Sequence, residues 1–106
     1  MASTGNYLDY ILEQLSALDE IAYRPMMGEY ILYYRGKIFG GIYDDRLLIK
    51  PVPSALRMMP GAPRELPYSG AKEMLLVEQT DAPEFLKDLI SSVYPELPEP
   101  KKKKWK

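Results

Sequence analysis

Arg24, Asp44, Asp45, Arg46 and Lys50 are the polar residues whose types and spacing could do chemistry. Folded to one end of a sheet, the adjacent carboxylates could hold Mg²⁺, and the two arginines with Lys50 could form a pocket for an anionic ligand. The same residues have a plain structural use. Asp44-Asp45 is the composition of a tight turn, Arg24 can pair with it to fix the corner, and neighbouring aspartates in such a turn point different ways. A shared divalent site is awkward there, so the five are carried forward as an interaction or anion site, with no metal and no cofactor assigned. Ser54, Ser69 and Lys72 are the material for a Ser-Lys nucleophile pair, but no nucleophile-elbow motif surrounds them. The chain has no Cys and no His. That excludes thiolate nucleophiles, disulfides, Cys/His zinc sites, haem ligation through His and Ser-His-Asp triads. No catalytic residue is assigned, and the expectation is a protein that is not an enzyme and has no small-molecule substrate.

The elements that must position these residues follow from periodicity. Leu8, Ile11, Leu12, Leu15 and Leu18 recur at spacings of three and four, which predicts an amphipathic helix over 7–18 with Asn6 as its N-cap. From 21 to 50 the pattern changes to short Tyr- and Ile-rich runs divided by Gly-containing breaks, and strands are expected over 22–27, 29–34, 37–43 and 46–50. Arg35-Gly36 and Asp44-Asp45 are the two-residue turns between them. Gly40 and Gly41 in mid-strand suggest a bulge or the close approach of a helix, and a helix is expected above that strand. Ser54 can cap a short helix over 55–59, 60–70 reads as a surface loop, and 72–79 returns to strand composition. Its apolar residues fall on both faces, which places that strand inside the sheet. Phe85, Leu86, Leu89, Ile90 and Val93 form the stripe of a last helix, with Asp81 as N-cap, Pro83 in the first turn and Tyr94-Pro95 at its end. The expected class is α+β: a two-layer sandwich with an antiparallel sheet of about five to six strands, helices packed on it, in the order α-β(3-4)-α-β(1-2)-α.

At 106 residues and 46% hydrophobic composition the chain fits one globular domain, placed at 1–94, with a Pro- and Lys-rich tail at 95–106. No apolar run approaches the roughly 20 residues needed to span a bilayer, and no signal peptide is recognisable, so the expectation is a cytoplasmic protein without a membrane partner. The net charge of −1 hides an asymmetry: residues 1–100 hold nine basic against fifteen acidic groups, a net of −6, and residues 101–106 add +5. The basic groups of the body are scattered among acids, so nucleic acid is only weakly implied. The tail, with Lys101, Lys102, Lys103, Lys104, Trp105 and Lys106, could contact nucleic acid through charge and stacking, or simply keep the terminus solvated. Tyr30, Tyr33, Tyr34 and Tyr43 could stack bases or line a peptide groove, though core packing accounts for them more simply. Met26, Met27, Met58 and Met59 are adaptable apolar surface whose commoner use is filling core gaps.

The stretch Arg24-Pro25-Met26-Met27-Gly28, then Tyr30, Leu32-Tyr33-Tyr34, Gly36-Lys37-Ile38-Phe39-Gly40, Ile42 and Asp44-Asp45-Arg46-Leu47 with Lys50 resembles the TfoX N-terminal domain family. The resemblance runs over about 8–93 and is densest between Arg24 and Lys50. It implies a secretion-chaperone-like α+β fold, in agreement with the periodicity, and kinship with regulators of natural competence. Longer members carry a second, helical domain, for which 106 residues leave no room, so the expectation is the N-terminal domain alone. The function expected is a non-catalytic module of bacterial type that binds a protein partner, a second copy of the chain included, through a strand edge or helix face. The alternative is a nucleic-acid-associated regulator that uses the basic tail.

Overall fold

Tight turns with left-handed backbone decide how the first half of the chain folds. In the computed structural model, which describes residues 5–97 apart from Met27 and Tyr68, helix α1 (Gly5–Gln14) leads into β1 (Ile21–Met26), β2 (Glu29–Tyr34), β3 (Lys37–Ile42) and β4 (Leu47–Ile49). Arg35 and Gly36 have φ of 52° and 85°, and Asp44 and Asp45 have 54° and 56°. Two consecutive positive φ values give the turn whose twist matches that of the flanking strands, and Asp tolerates it better than most residues. Tyr43 and Arg46 close the second turn by exchanging backbone hydrogen bonds of 2.9 and 3.0 Å.

Helix α2 (Pro53–Met58), β5 (Arg64–Glu65), β6 (Met74–Leu76) and α3 (Pro83–Val93) complete the chain, followed by a 3₁₀ turn at Tyr94–Glu96. The six strands lie in the order β1-β2-β3-β4-β6-β5 with every neighbouring pair antiparallel. The α+β class and the helices packed on an antiparallel sheet are as expected, and β6 does lie inside the sheet. One face carries the core. Leu32, Ile42, Leu47, Ile49 and Leu75 meet Leu8, Ile11 and Leu15 of the first helical segment and Leu86, Leu89, Ile90 and Val93 of α3. No described helix is long and apolar enough to cross a membrane.

Several local expectations are corrected. Helix α1 starts at Gly5, so Asn6 lies in its first turn instead of capping it, and its regular part ends at Gln14. Hydrogen-bonded turns from Ile11 to Leu18 carry the leucine stripe onward. Val52 and Ala82, not Ser54 and Asp81, occupy the N-cap positions of α2 and α3, and neither makes a side-chain cap. The 60–70 loop contains the edge strand β5, and the strand expected over 72–79 is confined to Met74–Leu76.

The glycines of β3 do mark a bulge. Leu32 pairs with Gly40 and Tyr33 with Ile38, which leaves Phe39 unpaired and turned fully into the core. The helix expected to press on them is not what they make room for. A side chain at Gly40 would strike the backbone of Leu48 and Ile49, and one at Gly41 would strike the Tyr43 ring and the Tyr30 carbonyl. Close backbone approach to β4 and a folded-back tyrosine explain the pair.

The helical layer is tied together at its C-terminal end. Glu96 accepts the Ser54 backbone N–H and the Ser54 hydroxyl, both at 2.7 Å, so a carboxylate from beyond α3 fills the capping role at the start of α2. The Arg57 guanidinium donates to the same hydroxyl at 2.9 Å. These bonds hold the Glu96 carboxyl below the ordinary carboxylate range, the Ser54 hydroxyl contributing most and the Ser54 amide next.

Candidate functional site

The register separates the five polar residues that the sequence offered as one cluster. Arg24 belongs to the cross-strand row Arg24, Ile31, Gly41, Leu48, Leu76, on the sheet face away from the helices and at its exposed edge. The Asp44-Asp45 turn lies at the strand end beyond the Ile42 and Leu47 pair. Its Asp44 amide donates to the Glu29 carboxylate at 3.1 Å. Asp45 lies close enough to Tyr7 to help raise the phenol's pKa, after burial and the neighbouring Tyr10, against a lowering hydrogen bond at the Leu47 backbone. Lys50 stands at the far end of β4, three residues and roughly 10 Å beyond Leu47 at about 3.3 Å per strand residue.

Arg46 is the member with a defined set of partners. Its Nε donates to the Tyr43 carbonyl at 3.1 Å, Nη1 to the Glu65 carboxylate at 2.5 Å and Nη2 to the Leu66 carbonyl at 3.4 Å. One planar guanidinium therefore clamps β5 to the β3–β4 turn, a structural use of a residue that the sequence offered for anion binding. Among the described residues no group of three or more acids stands close enough to hold a metal ion. Lys101, Lys102, Lys103, Lys104, Trp105 and Lys106 fall outside the described residues.

The structure instead brings together residues that sequence reasoning did not single out as a set. On the helix-free face, Met26, Ile31, Ile38 and Met74 with the Tyr43 ring form the floor of a groove of about 680 Å³. Its walls are Lys50-Pro51-Val52 on one side and Pro67 with the 70–73 segment, including Lys72 and Glu73, on the other. That volume is of the order of a ligand or peptide site, roughly 300–1,000 Å³. Ile38 is 36% exposed, whereas Leu48 on the same face is fully buried, so the face is partly packed and partly open. The lining contributes two ammonium groups, one carboxylate and apolar carbon. That combination can hold an apolar, negatively charged segment. The available sequence signal was apolar residues on both alternating faces of β2, β3 and β6, while the helices could cover only one.

The tyrosines are distributed as packing predicts. Tyr34 and Tyr43 are buried, and Tyr34 meets Tyr94 edge-to-face at 5.3 Å. Tyr30 and Tyr33 are half-buried. Lys37 is buried too, its ammonium 4.5 Å above the Tyr94 ring and donating to the Tyr94 carbonyl at 3.4 Å.

Comparison with known proteins gives two matches. The sequence model of the TfoX N-terminal domain matches residues 13–88, which span every strand and reach into α3. A Spirochaeta aurantia protein named "Uncharacterized 12.7 kDa protein in trpE 5'region" is 31% identical over 108 residues, covering 100% of this chain and 93% of its own. No solved structure matches.

Proposed function

The chain belongs to the TfoX N-terminal domain family, and from that premise we propose that it is a non-catalytic interaction module that holds an extended, acidic and apolar segment of a partner protein in its helix-free groove. The observation that carries this reading is the chemistry of the groove: an apolar floor flanked by Lys50 and Lys72. Aliphatic side chains of the segment rest on Ile31, Ile38 and Met74, its carboxylates meet the two lysines, and its backbone stays towards solvent at the mouth. A module of this kind regulates by being occupied. It needs no turnover and no cofactor.

The test is to pan a random-peptide display library against the full chain. Enriched peptides are expected to combine aliphatic residues with Asp or Glu, and to bind Ile38→Glu and the Lys50→Glu/Lys72→Glu double variant at least tenfold more weakly. Equal enrichment on wild type and Ile38→Glu overturns the reading. Duplex binding that falls steeply with salt and disappears on deletion of residues 101–106 would favour the nucleic-acid alternative, which draws on the +5 charge of that segment.

A further inference from the structure

The two edges of the sheet are unlike. Strand β5 spans two residues and is clamped by Arg46, whereas β1 spans six and, among the described residues, pairs on one side only, with β2. Ala22, Tyr23, Arg24 and Pro25 are exposed, so the middle of β1 is covered on neither face. A long open edge of this kind offers a row of unpaired backbone groups to another strand. We propose that its occupant is a second copy of the chain, with β1 pairing antiparallel to β1 about a two-fold axis at Ala22.

The hydrogen-bond alternation sets this register. The Arg35 amide donates to the Glu20 carbonyl at 3.1 Å, so Glu20, and with it Ala22, Arg24 and Met26, turn their backbone groups inward to β2. Met26 and Glu29, which close the two-residue turn, agree with that alternation. Ile21, Tyr23 and Pro25 therefore point their backbone groups outward, and Pro25 has no amide to offer. Centring the pair on Tyr23 would set Pro25 opposite the partner's Ile21 and leave a carbonyl without a donor. Centring it on Ala22 sets Ile21 opposite the partner's Tyr23, and every outward N–H and C=O of those residues is satisfied.

The side chains suit the same register. On the helix side, half-buried Ile21 meets the partner's Tyr23, a β-branched residue against an aromatic that is 46% exposed in the single chain. At the axis, Ala22 faces the partner's Ala22 in the close, non-hydrogen-bonded type of pair, where a small side chain fits. Just before the strand, Glu20, whose φ of 63° takes it out of the extended chain, lies within reach of the partner's Arg24 in this register. Neither of those side chains has a hydrogen bond or ion pair to another described residue. The axis runs perpendicular to the sheet, so both grooves open on the same side of a twelve-stranded dimer sheet. The inference does not rest on groove binding, and either can fail without the other.

Sedimentation equilibrium of the full chain over a concentration series provides the test. Wild type is expected to form a dimer whose fraction rises with concentration. Glu20→Arg and Arg24→Glu, each of which sets like charges opposite each other, are expected to associate at least tenfold more weakly while keeping the wild-type circular dichroism. Mixed in equal amounts, the two single variants should dimerise again, because at both contacts a basic side chain of one variant then faces an acidic side chain of the other. Tyr23→Pro, which removes an outward donor and no inward one, should also be monomeric. A wild type that stays monomeric, single variants that dimerise like wild type, or a mixture that stays monomeric would each overturn the proposal.

Discussion

On one face of the sheet Leu32, Ile42, Leu47 and Ile49 lie wholly beneath α1 and α3, while on the other Ile31, Ile38 and Met74, from the same or adjacent strands, keep contact with solvent. Both faces are apolar because the strands place hydrophobic residues at odd and at even positions. What separates them is the supply of helix. Three helices of 10, 6 and 11 residues share one layer, and the opposite face is left to Tyr43, Pro67, the 70–73 segment and water. A sheet that is apolar on both sides but roofed on one is the ordinary basis of an interaction surface, since the second face has been given residues that its own chain does not finish burying.

Breaking the covered face should cost the most. Leu89→Ala removes a fully buried side chain and is expected to lower stability by about 3 kcal/mol, read from the denaturation midpoint at unchanged slope. Gly40→Ala, which drives a methyl into the β4 backbone, should cost about 2 kcal/mol by forcing β3 and β4 apart. Arg46→Ala should cost about 1 kcal/mol, because the ion pair is half-exposed, but should raise exchange of the Leu76 amide, which donates to the Pro63 carbonyl beside β5, once β5 loosens. Ile38→Ser on the open face should stay within about 0.5 kcal/mol of wild type. If it destabilised the fold as much as Leu89→Ala, the two faces would not differ in kind.

Folding holds the Glu96 carboxyl below its ordinary value of 4.5, so its contribution is fully present above that value and fades as pH falls through the lowered one. Glu96→Gln should therefore show a shallower fall in Tm than wild type as pH is lowered below the ordinary carboxylate value of 4.5. Parallel curves would mean that the Ser54 contact adds nothing to the acid response of the helical layer.

The strands of the meander, its two tight turns and the stripe of α3 were legible because each depends on residues a few positions apart. Gly36 and Asp44-Asp45 announce turns, and alternation announces strands. The candidate site was less legible. Arg46 looked like a ligand-binding cation until β5 supplied Glu65, and Ser54 looked like a helix cap until Glu96, 42 positions away, was found to fill that role. The groove residues were visible only as apolar positions without an assigned side.

Local chemistry by itself determined the α+β class, the order of elements and the absence of imidazole and thiol catalysis, because periodicity, turn geometry and composition act within a few residues. Tertiary structure alone decided which sheet face the helices would cover, that Arg24 and Lys50 would part from the Asp44-Asp45 turn, and that β1 would remain an open edge. Those outcomes depend on how limited helical surface is shared among distant strands, a competition that no short window of sequence contains.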